Sequence, residues 1–345
     1  MFEYYAILYF FMIHTIKPKG RRTEILPPVI FLMGPTASGK SNVAMEIAKF
    51  LPVEIISVDS AQVYRHMNIG TAKPDAASLK LVPHHLINLI DPDQGYSAAE
   101  FRIDALKKMH EITTRRRVPL LVGGTMLYFR VLQQGLSELP PANEALRSTI
   151  EVKAKKIGWP AMHKTLSALD PIIASNIKPT DSQRIQRALE VCYLTNQPMS
   201  EIQKKSKDAD FPYHMINIAL MPSDRSVLHQ RIAQRFRDMI ESGLIDEIQS
   251  IRQRFQLDAA SPAMRCVGYR QGWLYLDNKI NLVQFEEMGT AATRQLAKRQ
   301  LTWLRNGQLN ELNVFDCLVR DLSDRVLTFL QATKLDATIN QQAQK

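Results

Sequence analysis

The chain has 345 residues, 45% of them hydrophobic and 23% charged, with a formal net charge of +10. That length allows one large folded unit plus a smaller one or an insert, and the balance is that of an ordinary globular protein. Cys192, Cys266 and Cys317 show no CxxC or Cys/His spacing, which excludes a disulfide framework or zinc site of that kind and fits a reducing cytoplasm. The positive surplus points to nucleic acid or phosphorylated substrates, or to a basic solvated surface and nothing more.

In chain order, residues 1–13 (MFEYYAILYFFMI) are apolar and aromatic. The run is too short to span a bilayer as a helix and lacks the basic leader and cleavage site of a signal peptide. With Lys17, Lys19, Arg21 and Arg22 behind it, it reads as a disordered extension over 1–28, with Met12 an alternative start, and no membrane partner is expected. PVIFLM (28–33) reads as a strand ending in a glycine-rich turn, and Val43, Ile47, Phe50 and Leu51 then recur at helical spacing. Apolar runs at 53–58, ending at Asp59, and at 119–122, ending at Gly123-Gly124, continue a strand–helix alternation. That alternation implies βαβ units and a parallel sheet. Ligands bind at the carboxyl ends of such strands.

Over 139–210 the pattern becomes helical, with Pro140 and Pro141 at its start. Thr180 or Asp181 can cap a helix whose apolar face is Ile185, Leu189 and Cys192. MINIAL (215–220) returns to strand, followed by a helix near 228–240 and a last core helix near 289–305. The expected division is a core of 29–138 and 211–312, a helical insertion of 139–210, and a C-terminal helix and polar tail over 313–345.

Gly34-Pro35-Thr36-Ala37-Ser38-Gly39-Lys40-Ser41 fits GxxxxGK[ST] between a strand and a helix. Backbone N–H groups of such a loop cradle phosphate oxygens, the lysine supplies a mobile charge, and the Ser41 hydroxyl can ligate Mg²⁺. The motif specifies phosphate or pyrophosphate without choosing ATP. Asp59, one βα unit later, reads as a Mg²⁺-linked carboxylate, a general base or, less readily given the sequence after it, a helix cap. Gly123 and Gly124 allow close backbone approach, and Thr125 can donate to a phosphate oxygen.

Arg231 and Arg235 share a helix face and can clamp a leaving pyrophosphate or simply be solvated. Arg184 and Arg187 (within QRIQR, 183–187) and RCVGYR (265–270) are basic clusters. The second mixes charge with Gly268 and an aromatic, Tyr269, suited to phosphate contact with base stacking. Arg294, Lys298 and Arg305 fall on one helical stripe beside Ala297, Leu301 and Leu304. His84-His85 lacks further ligands at metal spacing and reads as loop or helix start.

FLMGPTASGKS, ISVDSAQVY with NIGTAKP, PLLVGGTMLYF, DSQRIQRALEV, RCVGYRQ and ATRQLAKRQLTWLR occur in that order, and together they resemble the bacterial tRNA dimethylallyltransferase (tRNA isopentenyltransferase) family over about 29–305. The resemblance implies an α/β, P-loop NTPase-like (nucleoside-kinase-like) parallel-sheet core with an all-helical insertion domain and tRNA gripped between them, acting with Mg²⁺ and dimethylallyl pyrophosphate. It implies Asp59 as general base, Thr125 in the reaction channel, and loop 34–41 on the pyrophosphate with help from Arg231 or Arg235. It also implies that Asp59, Ser60, Ala61, Gln62, Arg147, Gln183, Arg184, Ile185, Gln186, Arg187, Arg265, Cys266, Val267, Gly268, Tyr269 and Arg270 meet the anticodon stem-loop, joined by the Arg294 and Lys298 stripe. A monomer suits one tRNA. Two other classes stay open on the residues alone: a P-loop phosphotransferase on a small metabolite, for which the basic helical insert has no use, and a nucleic-acid-driven NTPase.

Overall fold

A computed structural model describes residues 26–137, 139–205, 211–306 and 311–333. The expectations for residues 1–25 and for the polar tail after 333 lie outside the described residues.

The first half of the chain runs β1 (Pro28–Met33), α1 (Lys40–Phe50), β2 (Val53–Val58), α2 (Ala76–Leu81), β3 (His84–His85), α3 (Ala98–Thr114), β4 (Val118–Gly123) and α4 (Met126–Gln134). Five helices follow: α5 (Glu144–Ile157), α6 (Trp159–Leu169), α7 (Pro171–Ser175), α8 (Ser182–Thr195) and α9 (Met199–Lys205). The chain then returns through β5 (His214–Met221), α10 (Arg225–Glu241), α11 (Leu244–Arg254), α12 (Tyr269–Leu276), α13 (Leu282–Arg305), β6 (Leu312–Asp316) and α14 (Leu322–Ala332). The six strands form one sheet in the order β3-β2-β4-β1-β5-β6, every pair parallel.

The period of two in a strand explains why β1 is apolar at every position. Ile30 and Leu32 pack against α1 and α14, whereas Val29, Phe31 and Met33 pack with residues of α3 and α4 on the opposite face. A strand buried on both faces has no polar side to spare. Beyond the carboxyl ends of the strands, α10–α13 enclose a third core with Phe236, Ile248, Tyr269 and Phe285.

Residues 144–205 carry no strand and have a core of their own, built on Ile150, Met162, Leu166, Ile185 and Leu189. Asp181 caps α8 by accepting from the Arg184 N–H. Buried Asp170 joins two helices of this bundle, accepting from the N–H groups of Ile173 and Ser200.

Four expectations change. Phe50 is 65% exposed, because α1 buries Val43, Ala44 and Ile47 and ends there. His84 and His85 form the short edge strand β3, not a loop or helix start, and His85 Nε2 lies 2.7 Å from Glu54 Oε2. α13 begins seven residues before the expected Gly289, at a reciprocal Asn281–Gln284 capping box. Before the terminal helix comes β6, which pairs with β5 from Asn217↔Leu312 to Met221↔Asp316 and extends the sheet.

Glu190, like Asp170, is fully buried in the insert, at 0% exposed. It accepts from the Asn143 N–H at 2.7 Å, Arg147 Nε at 2.9 Å and Arg187 at 2.6 Å. Burial alone would raise its pKa; these donors outweigh burial and hold it below the usual 4.5. A depressed folded pKa means that the stabilisation is complete above the unfolded value and is lost as pH falls through the folded one. Replacing Glu190 with Gln should cost about 3 kcal/mol at neutral pH in denaturant unfolding, and should flatten the acid limb of the stability profile relative to the unsubstituted protein.

Candidate functional site

β1 lies between β4 and β5; the connection from β1 runs toward β2 on one side of it, and that from β5 runs toward β6 on the other. That is the switch point at which an open parallel sheet leaves a crevice beyond its strand ends. A cavity of about 270 Å³ occupies the place, lined by Thr36, Lys40 and Ser41 after β1, Asp59, Ala61 and Gln62 after β2, and Gly123 and Gly124 at the end of β4. α10, α12 and α13 close it with Ile232, Arg235, Phe236, Met239, Tyr269, Leu296 and Gln300. The strand-end wall is polar; the opposite wall is largely hydrocarbon.

Loop 34–41 turns on two left-handed residues, Ala37 (φ 61°) and Gly39 (φ 81°). An alanine there is strained by roughly 1 kcal/mol, the kind of local cost that collects at functional loops. Gly39 gives α1 no side-chain cap and its first turn holds no acid, which leaves amide donors for an anion. Lys40 Nζ donates to the Pro35 carbonyl at 2.6 Å and reaches Ser38 Oγ at 3.5 Å. Burial of its ammonium, followed by the nearby Arg235, lowers its pKa to about 7. Arg235 is likewise lowered, chiefly by burial, and is drawn back by Asp59. Two cations and one carboxylate therefore share a poorly hydrated space, an arrangement that favours a polyanion.

Asp59 Oδ1 accepts from the N–H groups of Ala61 at 2.8 Å and Gln62 at 3.4 Å. The carboxylate thus caps a turn after all, and Oδ2 is without a hydrogen-bond partner among the described residues. Thr125 is not on the cavity wall: its Oγ1 accepts from the Ser60 N–H at 3.1 Å and donates to Ser60 Oγ at 3.4 Å, beside Asp59. Within loop 34–41, Thr36, Lys40 and Ser41 line the cavity, whereas Gly34, Pro35, Ala37, Ser38 and Gly39 do not. Of the two arginines on α10, Arg235 lines the cavity, whereas Arg231 faces the sheet edge and donates to the Cys317 carbonyl at 3.0 Å.

The positions expected to meet RNA divide by exposure. Gln183, Arg184, Arg265, Arg270, Arg294 and Lys298 are exposed. Ile185 is 0% exposed in the insert core and cannot touch a partner. Arg147 and Arg187 are bound to Glu190, and Gln186 donates to the Arg147 carbonyl. Tyr269 is also 0% exposed, its hydroxyl donating to Glu247 at 2.6 Å, so the stacking role read from RCVGYR fails. Gly268 is buried with it, while Cys266 and Val267 are half-buried on the cavity wall. Burial, then Asp59, pushes the Cys266 thiol up to about 12, which keeps it protonated.

Three contributors went unread. Gln300 bonds both glycine-rich loops. Glu247 accepts from the N–H groups of Asn68, Ile69 and Gly70 and so orders a loop that lines the cavity. Lys73, lowered to about 8 mainly by burial, ties that loop to Tyr64 and Asn88. A glutamine inside the apolar stripe Ala297, Leu301, Leu304 was the one signal of this kind available in sequence.

A parallel sheet with this loop after its central strand is a P-loop NTPase-like α/β protein. A family profile described as IPP transferase matches residues 62–307. The tRNA dimethylallyltransferase of Nitrosomonas eutropha is 62% identical over 311 residues, covering 90% of this chain and 98% of that protein. The full-length tRNA isopentenylpyrophosphate transferase of Bacillus halodurans superposes with a TM-score of 0.65 at 35% identity, over 92% of this chain and 99% of that one. A eukaryotic dimethylallyltransferase, crystallised acting on tRNA, gives 0.74 at 26% identity, over 88% and 79%. The chain belongs to the IPP transferase family.

Burial, then Arg235, holds the Lys40 ammonium at about 7, far below its ordinary value, and a bound polyanion raises it. Pyrophosphate binding at about pH 8 should therefore take up a proton at Lys40. Calorimetry in buffers of different ionisation heat should show greater uptake by the unsubstituted protein than by Lys40→Met.

Proposed function

We infer that this chain transfers the dimethylallyl group of dimethylallyl pyrophosphate to N6 of the adenosine immediately 3′ of the tRNA anticodon, releasing pyrophosphate. The observation that carries the reading is one cavity joining a phosphate-cradling loop, a facing aspartate and an apolar wall in a chain of the IPP transferase family.

The N6 lone pair attacks C1 of the allyl group; the C1–O bond breaks and its electrons leave with pyrophosphate; the N6 proton passes to Asp59. An adenine amine is a weak nucleophile because its lone pair is delocalised. A carboxylate that accepts its proton as the bond forms raises its reactivity. Oδ1 is held by the 61 and 62 amides while Oδ2 has no such bond among the described residues, and this leaves one oxygen for the substrate. Negative charge gathers on the leaving group, where loop amides, Lys40 and Arg235 stabilise it in a site of low polarity. Thr125 supports the base side through Ser60, and Arg231 holds the sheet edge next to the loop. Ile232, Phe236, Met239, Val267 and Leu296 keep water from the allylic carbon.

Mg²⁺ fits this donor set. Among the described residues no cluster of three His, Cys, Asp or Glu could cage a metal; Mg²⁺ bound through substrate phosphates needs few protein ligands, and Ser41 on the cavity wall would supply its hydroxyl as one of them. When bound, it supplies Lewis-acid neutralisation of leaving-group charge.

The target base must leave the anticodon-loop stack, at a cost of about a few kcal/mol. Exposed Arg184, Arg265, Arg270, Arg294 and Lys298 are the cations open to the tRNA backbone, whose contacts offset that cost. Arg147 and Arg187, committed to Glu190, hold the insert that presents Arg184. No helix of the described residues is long and apolar enough to cross a membrane.

Mass spectrometry of unmodified tRNA after incubation with the protein, Mg²⁺ and dimethylallyl pyrophosphate should show one added dimethylallyl group on that adenosine. Phosphate transfer from ATP to a small molecule, without that gain, would replace this reading. Asp59→Ala should lower turnover by roughly 10²–10⁴-fold with little change in tRNA affinity; near-normal turnover would remove the base. Arg235→Ala should slow turnover far more than Arg231→Ala, and equal effects would contradict the placement of the two side chains.

A further inference from the structure

Resting on that reading, we propose that Gln300 is a positioning residue that sets the distance between the donor pyrophosphate and the acceptor amine. From α13 its Oε1 accepts from the Thr36 N–H at 2.9 Å, and its Nε2 donates to the Gly124 carbonyl at 2.9 Å. One primary amide thus spans the phosphate-binding loop and the turn after β4. Among the described residues no hydrogen bond joins these two loops directly beyond the end of the β1–β4 ladder at Met33 and Gly123.

The span continues to the base. Gly124 precedes Thr125, which binds Ser60, the neighbour of Asp59. A connected path therefore runs Thr36, Gln300, Gly124, Thr125, Ser60, Asp59, from the donor's anchor to the acceptor's proton acceptor. The bridge is stiff. Gln300 is 8% exposed on a helix whose Ala297, Leu301 and Leu304 are buried. A Cβ at Gly124 would stand 2.2 Å from Gln300 Nε2, so the turn has no room to drift toward the helix.

The chemistry of the bridge is selective. It needs an acceptor and a donor on one rigid plane, which glutamine supplies at this reach. Asparagine is a methylene shorter, glutamate cannot donate to a carbonyl, and methionine has the length without the bonds. A bridge between two substrate sites need not change either affinity alone. Its contribution is orientation, where a misplacement of about 1 Å can cost on the order of 10²-fold in rate.

The test compares Gln300→Met and Gln300→Asn with the unsubstituted protein. Single-turnover transfer at saturating substrates is measured beside pyrophosphate affinity without tRNA, anticodon stem-loop affinity without donor, and thermal stability. Both variants should transfer about 10²-fold more slowly, while each separate affinity stays within about threefold of the unsubstituted value. A transfer rate within about threefold for either folded variant overturns the proposal. So does a loss of pyrophosphate affinity as large as the loss of rate, since Gln300 would then only build the cradle. Should Gln300→Met melt well below the unsubstituted protein, Gln300→Asn, which keeps the amide, decides alone. If the unsubstituted protein transfers nothing, the reading of the function fails and the bridge fails with it; if it transfers normally and the variants do too, only the bridge fails.

Discussion

Gly123 lies so close to β2 that a Cβ there would stand 2.0 Å from the Val58 carbonyl oxygen. No side chain can be tolerated at that contact, and everything at the site follows from it. It brings the carboxyl ends of β2 and β4 together, so that Asp59, Ser60 and Thr125 share one turn's breadth, with the loop after β1 beside them. Parallel strands supply this convergence without effort, because all six point their carboxyl ends the same way. The sheet itself then needs no polar face, and its central strand β1 is free to be apolar throughout.

Charge is sorted by burial. Glu190 binds Arg147 and Arg187 inside the helical insert, and Glu54, near the start of β2, binds Arg115 and His85. These groups are committed to the fold. Lys40 and Arg235 are committed to the cavity, where burial disfavours both charges until an anion arrives. Others, among them Arg184, Arg270, Arg294 and Lys298, stand on exposed helix faces. A net charge of +10 is therefore several populations of charge with different duties, and only the last has the salt-sensitive character of a nucleic-acid surface.

The phosphate loop, β1, β2, β4, β5 and the helical stretch after 139 were legible because each is local: a motif, an alternation, a capped amphipathic run. What escaped depends on contacts far apart in sequence. LNVFD, four half-buried residues around an exposed Val314, carries no pattern of its own and becomes a strand because β5 offers it an open edge. Tyr269 sits in a basic run that looks like a recognition surface, yet Glu247, on the preceding long helix, draws it into the core. Arg231 and Arg235 differ by one turn; what separates them is that one faces Cys317 and the other faces Asp59, which spacing does not encode. The same holds for Gln300, whose two partners lie 264 and 176 residues away.

β1 has a further consequence for how the protein is made. Its two neighbours are β4 and β5, and β5 begins only at His214, after the whole insert has been synthesised. A nascent chain thus carries its phosphate loop on a strand with one open edge while five helices with a core of their own follow it out of the ribosome. Those helices make mostly local contacts and can collapse early, whereas the sheet must wait for distant partners. The helical insert would then serve as a folding spacer, bringing residue 214 back beside residue 28 and shortening the loop whose closure completes the site.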